Sequence, residues 1–346
     1  MTTPGKEVAI TVCGEDVRQC ARRLREELDR QQARPLSLFV FGGLQDQEGL
    51  EDMFPSGHQG ISWFQGDSSR SGQSPVSLQA FAVVGAEPVQ VVRHGTGRGF
   101  VFEDDAVRVC RLAGVIPASL SASREEQTRE VLASAESMLN EAGFQFTDTV
   151  RTWFYLDHLL EWYDGFNAVR TGFYRERGVL NGLIPASTGI GAGNSHGSAL
   201  SCDLLAVASR GGRRGVQGVA SPLQDSALNY RSSFSRAVEL SHTQGRQLLV
   251  SGTASIDREG RTAHAGNPGA QIDLTLRVVE ALLASRGMGW SDVTRGIAYF
   301  KRLADRPLMD QWLSFRGITP GSLAIAEADI CRQDLDFEIE VDAVGT

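Results

Sequence analysis

The C-terminal run DLDFEIEVDA alternates apolar and acidic residues. That is strand periodicity, with Phe337, Ile339 and Val341 on one face and Glu338, Glu340 and Asp342 on the other. Two readings fit. Either the acidic face is solvated, or Glu338 turns into a pocket between domains, where burial and a neighbouring carboxylate raise its proton affinity and make it a general acid. Asp203, in SCDLLAVA, takes the corresponding place in an earlier strand. Tyr163 and Arg170 stand seven apart in EWYDGFNAVR, two turns along one helix face, a pairing that suits capture of a carboxylate. Tyr230, Arg231 and Arg236 cluster in NYRSSFSRA, and Arg302 follows the strand-like IAYFK. For each of these arginines the plain alternative is a solvated surface charge. Gly252, Thr253 and Ala254 in SGTAS could line a site, because glycine admits close backbone approach and threonine donates a hydrogen bond. A tight strand turn that needs glycine explains the same residues. Cys331, seven before Glu338, reads first as a small core residue.

Other patterns drop out. TGIGAGN at 188–194 precedes a strand instead of joining a strand to a helix, so it is no dinucleotide fingerprint. GTGRG at 95–99 lacks the Lys-Ser/Thr of a phosphate loop. The six histidines are dispersed without HExxH, and neither they nor the five cysteines have metal-ligand spacing. No metal or cofactor is expected. His242 with Cys331 is a chance pair by sequence, and His158 opens a helix as a surface or capping residue.

The elements that must position these residues repeat. A first copy runs VRVCRLAGVIPAS, TREVLASAESMLNEAGF, TDTVRTWFYL, HLLEWYDGFNAVRTGFYRERG, IPASTGIG, LSCDLLAVA. A second runs RQLLVSGTASID, AQIDLTLRVVEALLASRGM, SDVTRGIAYFK, DRPLMDQWLSFRG, ITPGSLAIAEADI, DLDFEIEVDA. Asp148, Arg151 and Tyr155 match Asp292, Arg295 and Tyr299 at a constant offset of 144, and the probable C-cap glycines Gly143 and Gly287 keep it. Each copy reads strand, helix, strand, helix, strand, strand. Helical stripes through Val131, Leu132, Ala135, Met138 and Leu139, and through Ile272, Leu276, Val279 and Leu283, need a sheet to cover. Residues 1–94 are less legible: VAITV, the helix-like Val17–Leu28, LSLFVF, a loop at 66–74, then QAFAVVG and VQVVRH, which read as a strand pair. The expected organisation is an N-terminal extension over 1–94 packing on a first module over 95–210, a linker over 211–225, and a second module over 226–346.

Composition sets outer limits. The 346 residues are 41% hydrophobic and 22% charged, with a formal charge of −8 and no long basic run, which disfavours nucleic acid. No stretch approaches the ~20 apolar residues of a membrane span. The start, MTTPGKEVAITVCGED, lacks the shape of a secretory signal. Scattered cysteines without CxxC fit a reducing compartment, so a soluble cytoplasmic protein is expected.

The ordered set of motifs (AGVIPAS and SGTASID, an amphipathic helix closing at glycine, VRTWFYL and TRGIAYF, FEIEVDA) resembles the RidA (YjgF/YER057c/UK114) fold. The fold class expected is therefore α+β, two RidA/YjgF-like, chorismate-mutase-like modules in tandem. Two modules on one chain, with FSRA before the second and CRQDLDFEIEVDA at the end, resemble the chorismatases, most strongly over 226–346. That resemblance implies an enzyme releasing pyruvate from chorismate without a cofactor, with Glu338 as the acid. It assigns Tyr163, Arg170, Tyr230, Arg231, Gly252, Thr253, Ala254 and Arg302 to the substrate. A cysteine near Cys331 goes with 3-hydroxybenzoate as ring product; a dihydroxycyclohexadiene carboxylate is the alternative, and Ala254 is larger than the aromatising branch would suggest. Imine deaminases of the RidA type use a Pro-Ala-Arg arginine, but Pro185-Ala186-Ser187 and Pro320-Gly321-Ser322 lack it. A non-catalytic small-ligand module is the reading from another class. Single RidA modules assemble as trimers, so both monomer and homotrimer are open.

Overall fold

The computed structural model describes residues 6–42, 47–55, 59–65, 76–85, 90–104, 107–209, 215–242, 245–318 and 323–345. The chain builds three units in succession. The N-terminal unit contains β1 (Lys6–Gly14), α1 (Val17–Gln31), β2 (Ala33–Phe41), α2 (Gln47–Glu51), β3 (Gly60–Gln65) and β4 (Val76–Val84). The first module contains β5 (Gln90–His94), β6 (Gly97–Asp104), β7 (Val107–Val115), α3 (Arg124–Glu141), β8 (Thr149–Leu156), α4 (Tyr163–Glu176), β9 (Ala186–Gly191), β10 (Gly193–Asn194) and β11 (Leu200–Ser209). The second contains β12 (Val216–Val219), β13 (Ala237–His242), β14 (Gly245–Ala254), α5 (Pro268–Ser285), β15 (Val293–Phe300), α6 (Arg306–Phe315), β16 (Leu323–Glu327) and β17 (Phe337–Gly345).

The long helices start where a side chain can accept an orphan amide hydrogen. Asp16, Ser123 and Asn267 cap α1, α3 and α5, and Pro268 opens α5. Gly143 and Gly287, at φ +78° and +71°, follow the C-termini of α3 and α5 in the left-handed conformation their sequence positions predict. The apolar stripe of each helix covers the outer face of its own sheet: Leu24 and Leu28 over Leu38 and Leu78, Leu132 and Leu139 over Leu112 and Leu204, Leu276 and Val279 over Leu248 and Ile339. Each fully buried Leu or Phe contributes about 1.5–3 kcal/mol, so three such layers are substantial cores.

The two modules have sheet orders β5-β6-β7-β11-β8-β9 and β12-β13-β14-β17-β15-β16, the last pair of each parallel. This is the α+β arrangement expected of them. The N-terminal sheet, β1-β4-β2-β3, repeats the last four strands of that order with β2 and β3 parallel; only the leading hairpin is missing, and β10 adds to β3. The region therefore carries the same topology as the modules, which its sequence did not announce. QAFAVVG and VQVVRH do not pair: β4 belongs to the N-terminal sheet and β5 to the first module, whose hairpin partner for β5 is β6. The expected linker over 211–225 holds β12, which pairs with β13, so it is partly sheet; residues 210–214 and the loop at 66–74 lie outside the described residues.

The inner faces of the three sheets meet in one central core. Phe39, Phe41 and Phe81 come from the first unit, Trp153 and Tyr155 from the second, Ile297 and Tyr299 from the third. The Tyr155 and Tyr299 hydroxyls meet at 3.1 Å, and the Phe41 ring lies within 6.3 Å of both, tilted against Tyr155 and edge-on to Tyr299. Each junction between neighbouring units is therefore a seam between two sheets, deep inside the molecule.

Candidate active site

A cavity of about 790 Å³ opens at the seam between the two modules. One wall comes from α4 and β9. The other comes from β14, β17 and the segment 228–236 that leads into β13. Glu338, on β17, lies at this seam beside Ala254 of β14 and Tyr299 of β15. The acidic face of β17 is not solvated: Glu338 is 5% exposed and Glu340 0%, with Asp342 also buried. The first module covers it.

Three carboxylates so close together are held by different means. Glu340 accepts from Arg151 and Arg295 at 2.7 Å each, from Trp153 Nε1 at 2.8 Å and from the Thr188 hydroxyl. Burial pushes Glu340 up, but the two guanidinium groups and Thr188 outweigh it and keep the carboxyl below its usual range. Asp342 pairs with Arg295. Glu338 has no hydrogen-bond partner among the described residues. Burial, reinforced by the charge on Glu340, pushes it up to about 8, against the opposing pull of Arg151 and Arg236. It is a carboxylic acid at neutral pH, facing an open cavity.

The backbone gives this acid its room. The register of β14 against β17 shifts between Val250 and Thr253, a bulge that places Gly252 under the carboxyl. A Cβ at Gly252 would stand 2.0 Å from Glu338 Oε1. Glycine is needed there for space. Strand alternation then sends Gly252 and Ala254 to the cavity and Thr253 away from it, where its hydroxyl donates to the Ser251 carbonyl at 2.8 Å.

Two arginines in the cavity wall are buried without a carboxylate partner among the described residues. Arg170, 1% exposed, donates to Asn167 Oδ1 at 2.6 Å and Ser187 Oγ at 3.3 Å, and its Nε has no partner. Arg236 donates through Nε and Nη2 to the Asp225 carbonyl at 2.9 and 2.8 Å, and lies over the Tyr230 and Phe234 rings. A buried guanidinium with only neutral partners is a ready site for an anion. Tyr163, stacked along Phe166, and Tyr230, packed against the Gly260 turn, complete the walls; burial raises both phenols, so they stay protonated. Cys331 borders the cavity near Tyr163 and Glu338. Burial pushes its thiol up to about 12, so it is no thiolate at neutral pH.

Of the residues expected from sequence, the cavity brings together Glu338, Cys331, Tyr163, Arg170, Tyr230, Arg231, Gly252 and Ala254. Arg231 is exposed at the mouth, in the left-handed conformation at φ +64°. Thr253 and Arg302 are elsewhere. Arg302, 59% exposed, pairs with Asp305 at 3.0 Å on the helix side of β15, because a residue just past a strand end leaves the inner face. Ser187 and Gly189, on β9, are cavity residues; the sequence presented Ser187 only where the Pro-Ala-Arg arginine is missing and Gly189 only inside the discarded TGIGAGN. Arg332 was legible only as the neighbour of Cys331. Arg151, whose repeated position reads as structural, reaches Glu340 and so does bear on the acid. Asp203 matches Glu340 by register and not Glu338: Trp153 faces Asp203 as Ile297 faces Glu340, and Ser201 takes the place of Glu338. Among the described residues no group of three His, Cys, Asp or Glu side chains is placed to hold a metal, and no helix is long and apolar enough to cross a membrane.

Three α+β units on one chain thus bring to one seam a buried carboxylic acid and two buried arginines that, among the described residues, have no carboxylate partner. No family model matches the chain. It is similar to the curated chorismatase of Streptomyces hygroscopicus, 27% identical over 252 residues, which is 66% of this chain and 70% of that one. A chorismatase of Streptomyces rapamycinicus is 28% identical over 220 residues, 56% and 64% of the two chains. A crystal structure of a chorismatase aligns with a TM-score of 0.69 at 20% identity, covering 99% of this chain and all of that one. A Mycobacterium tuberculosis member of the YjgF/YER057c/UK114 family covers 38% of this chain at a TM-score of 0.31 and 22% identity. The chain thus has the fold of a chorismatase and is related in sequence to chorismatases, as its motifs imply.

Proposed function

We propose that this protein is an enzyme that removes the enolpyruvyl group of chorismate as pyruvate, using only its own side chains. The observation that carries the reading is Glu338, a buried carboxyl with no hydrogen-bond partner among the described residues, facing a cavity that also presents Arg170 and Arg236. The similarity to proteins named chorismatases supports it. Chorismate is a dianion, so two buried guanidinium groups match its charge while the acid remains neutral. Arg170 and Arg236 hold the two carboxylates. Glu338 protonates the methylene carbon of the enol ether, giving an oxocarbenium ion that its own conjugate base then stabilises. Attack by water or by a ring oxygen of the substrate follows, and the adduct collapses to pyruvate. All these groups belong to one chain. A soluble cytoplasmic enzyme fits this reading.

The favoured ring product is 3-hydroxybenzoate, on Cys331; the dihydroxycyclohexadiene carboxylate is the second reading, favoured by the methyl of Ala254 in the same wall. The two outcomes differ by one water, since hydrolysis consumes it and aromatisation does not. Incubation of the pure protein with chorismate should release pyruvate, and the mass of the ring product separates the two. Folded protein that yields no pyruvate between pH 6 and 8 would falsify the proposal. Binding of aromatic carboxylates without turnover, indifferent to Glu338→Gln, would point instead to a ligand-binding module.

A further inference from the structure

Several donors near Glu338 are engaged by other acceptors, although Arg151 Nε is not, and one residue engages two of them. Thr188, on β9 of the first module, accepts from the Gly252 amide at 3.1 Å and from Arg151 Nη2 at 2.8 Å while its own hydroxyl donates to Glu340. Its methyl stands 3.3 Å from where a Gly252 Cβ would be, on the spot that the Glu338 carboxyl also approaches. The remaining arm of Arg151 donates to the Val250 carbonyl at 2.9 Å, and Arg236 is turned to the Asp225 carbonyl. We propose that Thr188 is a positioning residue for the acid: it occupies the Gly252 amide and one arm of Arg151 and so denies both donors to Glu338.

The consequence follows from how hydrogen bonds select a charge state. A carboxylate that accepts from a backbone amide and a guanidinium is stabilised in its ionised form. Without the Thr188 oxygen, the Gly252 amide loses its acceptor and Arg151 Nη2 keeps only Glu340, and the carboxyl resting on Gly252 is at hand to replace the lost oxygen. The other groups facing Glu338 (Glu340 on its own strand, Arg236 at the head of β13, Tyr163 on α4 and Cys331) do not change. The proposal rests on Glu338 acting as the acid, so its test has a readout that needs no substrate.

Wild type, Thr188→Val and Thr188→Ser are compared by carbon-13 NMR titration of Glu338 and by the pH profile of pyruvate release. Valine keeps the methyl and removes the oxygen; serine does the reverse. The expected result is a Glu338 midpoint at least one pH unit lower in Thr188→Val. For a one-unit drop from about 8, its kcat at pH 7.5 should fall by about 3-fold, and by more for a larger drop, with KM little changed, and serine should restore both. A Thr188→Val midpoint equal to wild type in a folded protein overturns the proposal, as does equal loss in Thr188→Ser. A shifted midpoint in protein that never turns over chorismate would sustain the inference about Thr188 and sink the reading of the reaction.

Discussion

The seam between the two modules and the seam between the N-terminal unit and the first module use the same frame to opposite ends. Register fixes the correspondence: Ser37, Arg151 and Arg295 are equivalent, as are Gln79, Asp203 and Glu340, and Ser77, Ser201 and Glu338. In the closed seam Asp203 accepts from Ser62 Oγ at 2.7 Å and from the Gly114 amide at 3.1 Å. In the open seam Glu340 is tied to Thr188, which in turn holds the Gly252 amide. A hydroxyl and a glycine amide thus recur in both seams, the Gly114 amide donating to Asp203 and the Gly252 amide to Thr188. What differs is the contents of the cleft. Where the open seam has Gly189, the closed one has Trp63, buried and donating to the Gly42 carbonyl at 3.3 Å. Where the open seam has Glu338, the closed one has Ser201. At the third seam Ile325 fills the place of Gly189, and Ser77 bonds to the backbone of Ile325 in both directions. A wide cleft thus coincides with a small residue on the β9-type strand, and a carboxyl is retained only there.

The same comparison explains two proton affinities. Glu340 is flanked by Arg151 and Arg295 and stays ionised. Asp203 has Ser37 in place of the arginine, and burial pushes it up to about 6 despite Ser62, Gly114 and Arg111. Glu340 accepts from two guanidinium groups and Asp203 from none, and the two shifts have opposite signs.

The comparison can be broken most severely at the acid itself. Glu338→Gln should lower pyruvate release by at least about 10³-fold with the fold intact, whereas Ser201→Ala, its counterpart, should leave turnover unchanged. Steady-state kinetics on both variants decide it. Next are the paired glycines. Gly252→Ala should cost about 10²-fold in kcat, because the new methyl displaces the Glu338 carboxyl. Gly114→Ala should instead cost stability, about 1–2 kcal/mol in urea unfolding, because Gly114 sits at φ +66° with the Ile61 carbonyl 3.3 Å from the added Cβ. If both variants lose only stability, the open seam is not the working one. Smaller in effect, Arg170→Gln and Arg236→Gln should each raise KM for the dianion about 10- to 100-fold, read from initial rates.

Acid–base behaviour gives the mildest tests. Activity needs protonated Glu338, so kcat should fall through an alkaline limb near 8. Its folded proton affinity exceeds the unfolded one, so the native state holds the extra proton and stability declines as pH rises from about 4.5 towards 8. Glu338→Gln should flatten that decline by about 1–3 kcal/mol. Asp203 carries the same sign over a narrower window, from about 4 to 6; Asp203→Asn should remove that smaller slope from the unfolding free energy without touching kcat.

The modules were legible because their helices carry long periodic stripes and their strands recur at one offset. The N-terminal unit was not, since it lost the leading hairpin, shortened the second helix to Gln47–Glu51 and replaced the recurring arginine and tyrosine with Ser37 and Phe41. Glu338 was legible as one of three alternating acids, but alternation cannot tell a covered face from a wet one. Thr188 and Ser187 were invisible, because hydroxyls in a strand carry no spacing of their own.

By itself the amino-acid sequence determined the α+β modules, their tandem order and the face of β17 on which the acids lie, because periodicity and capping act within a few residues. Only the tertiary structure decided which acid is charged. That choice depends on which side chains 100 or more residues away bring their donors to each carboxyl: Arg151 and Thr188 reach Glu340, while the Gly252 amide beside Glu338 is held by Thr188.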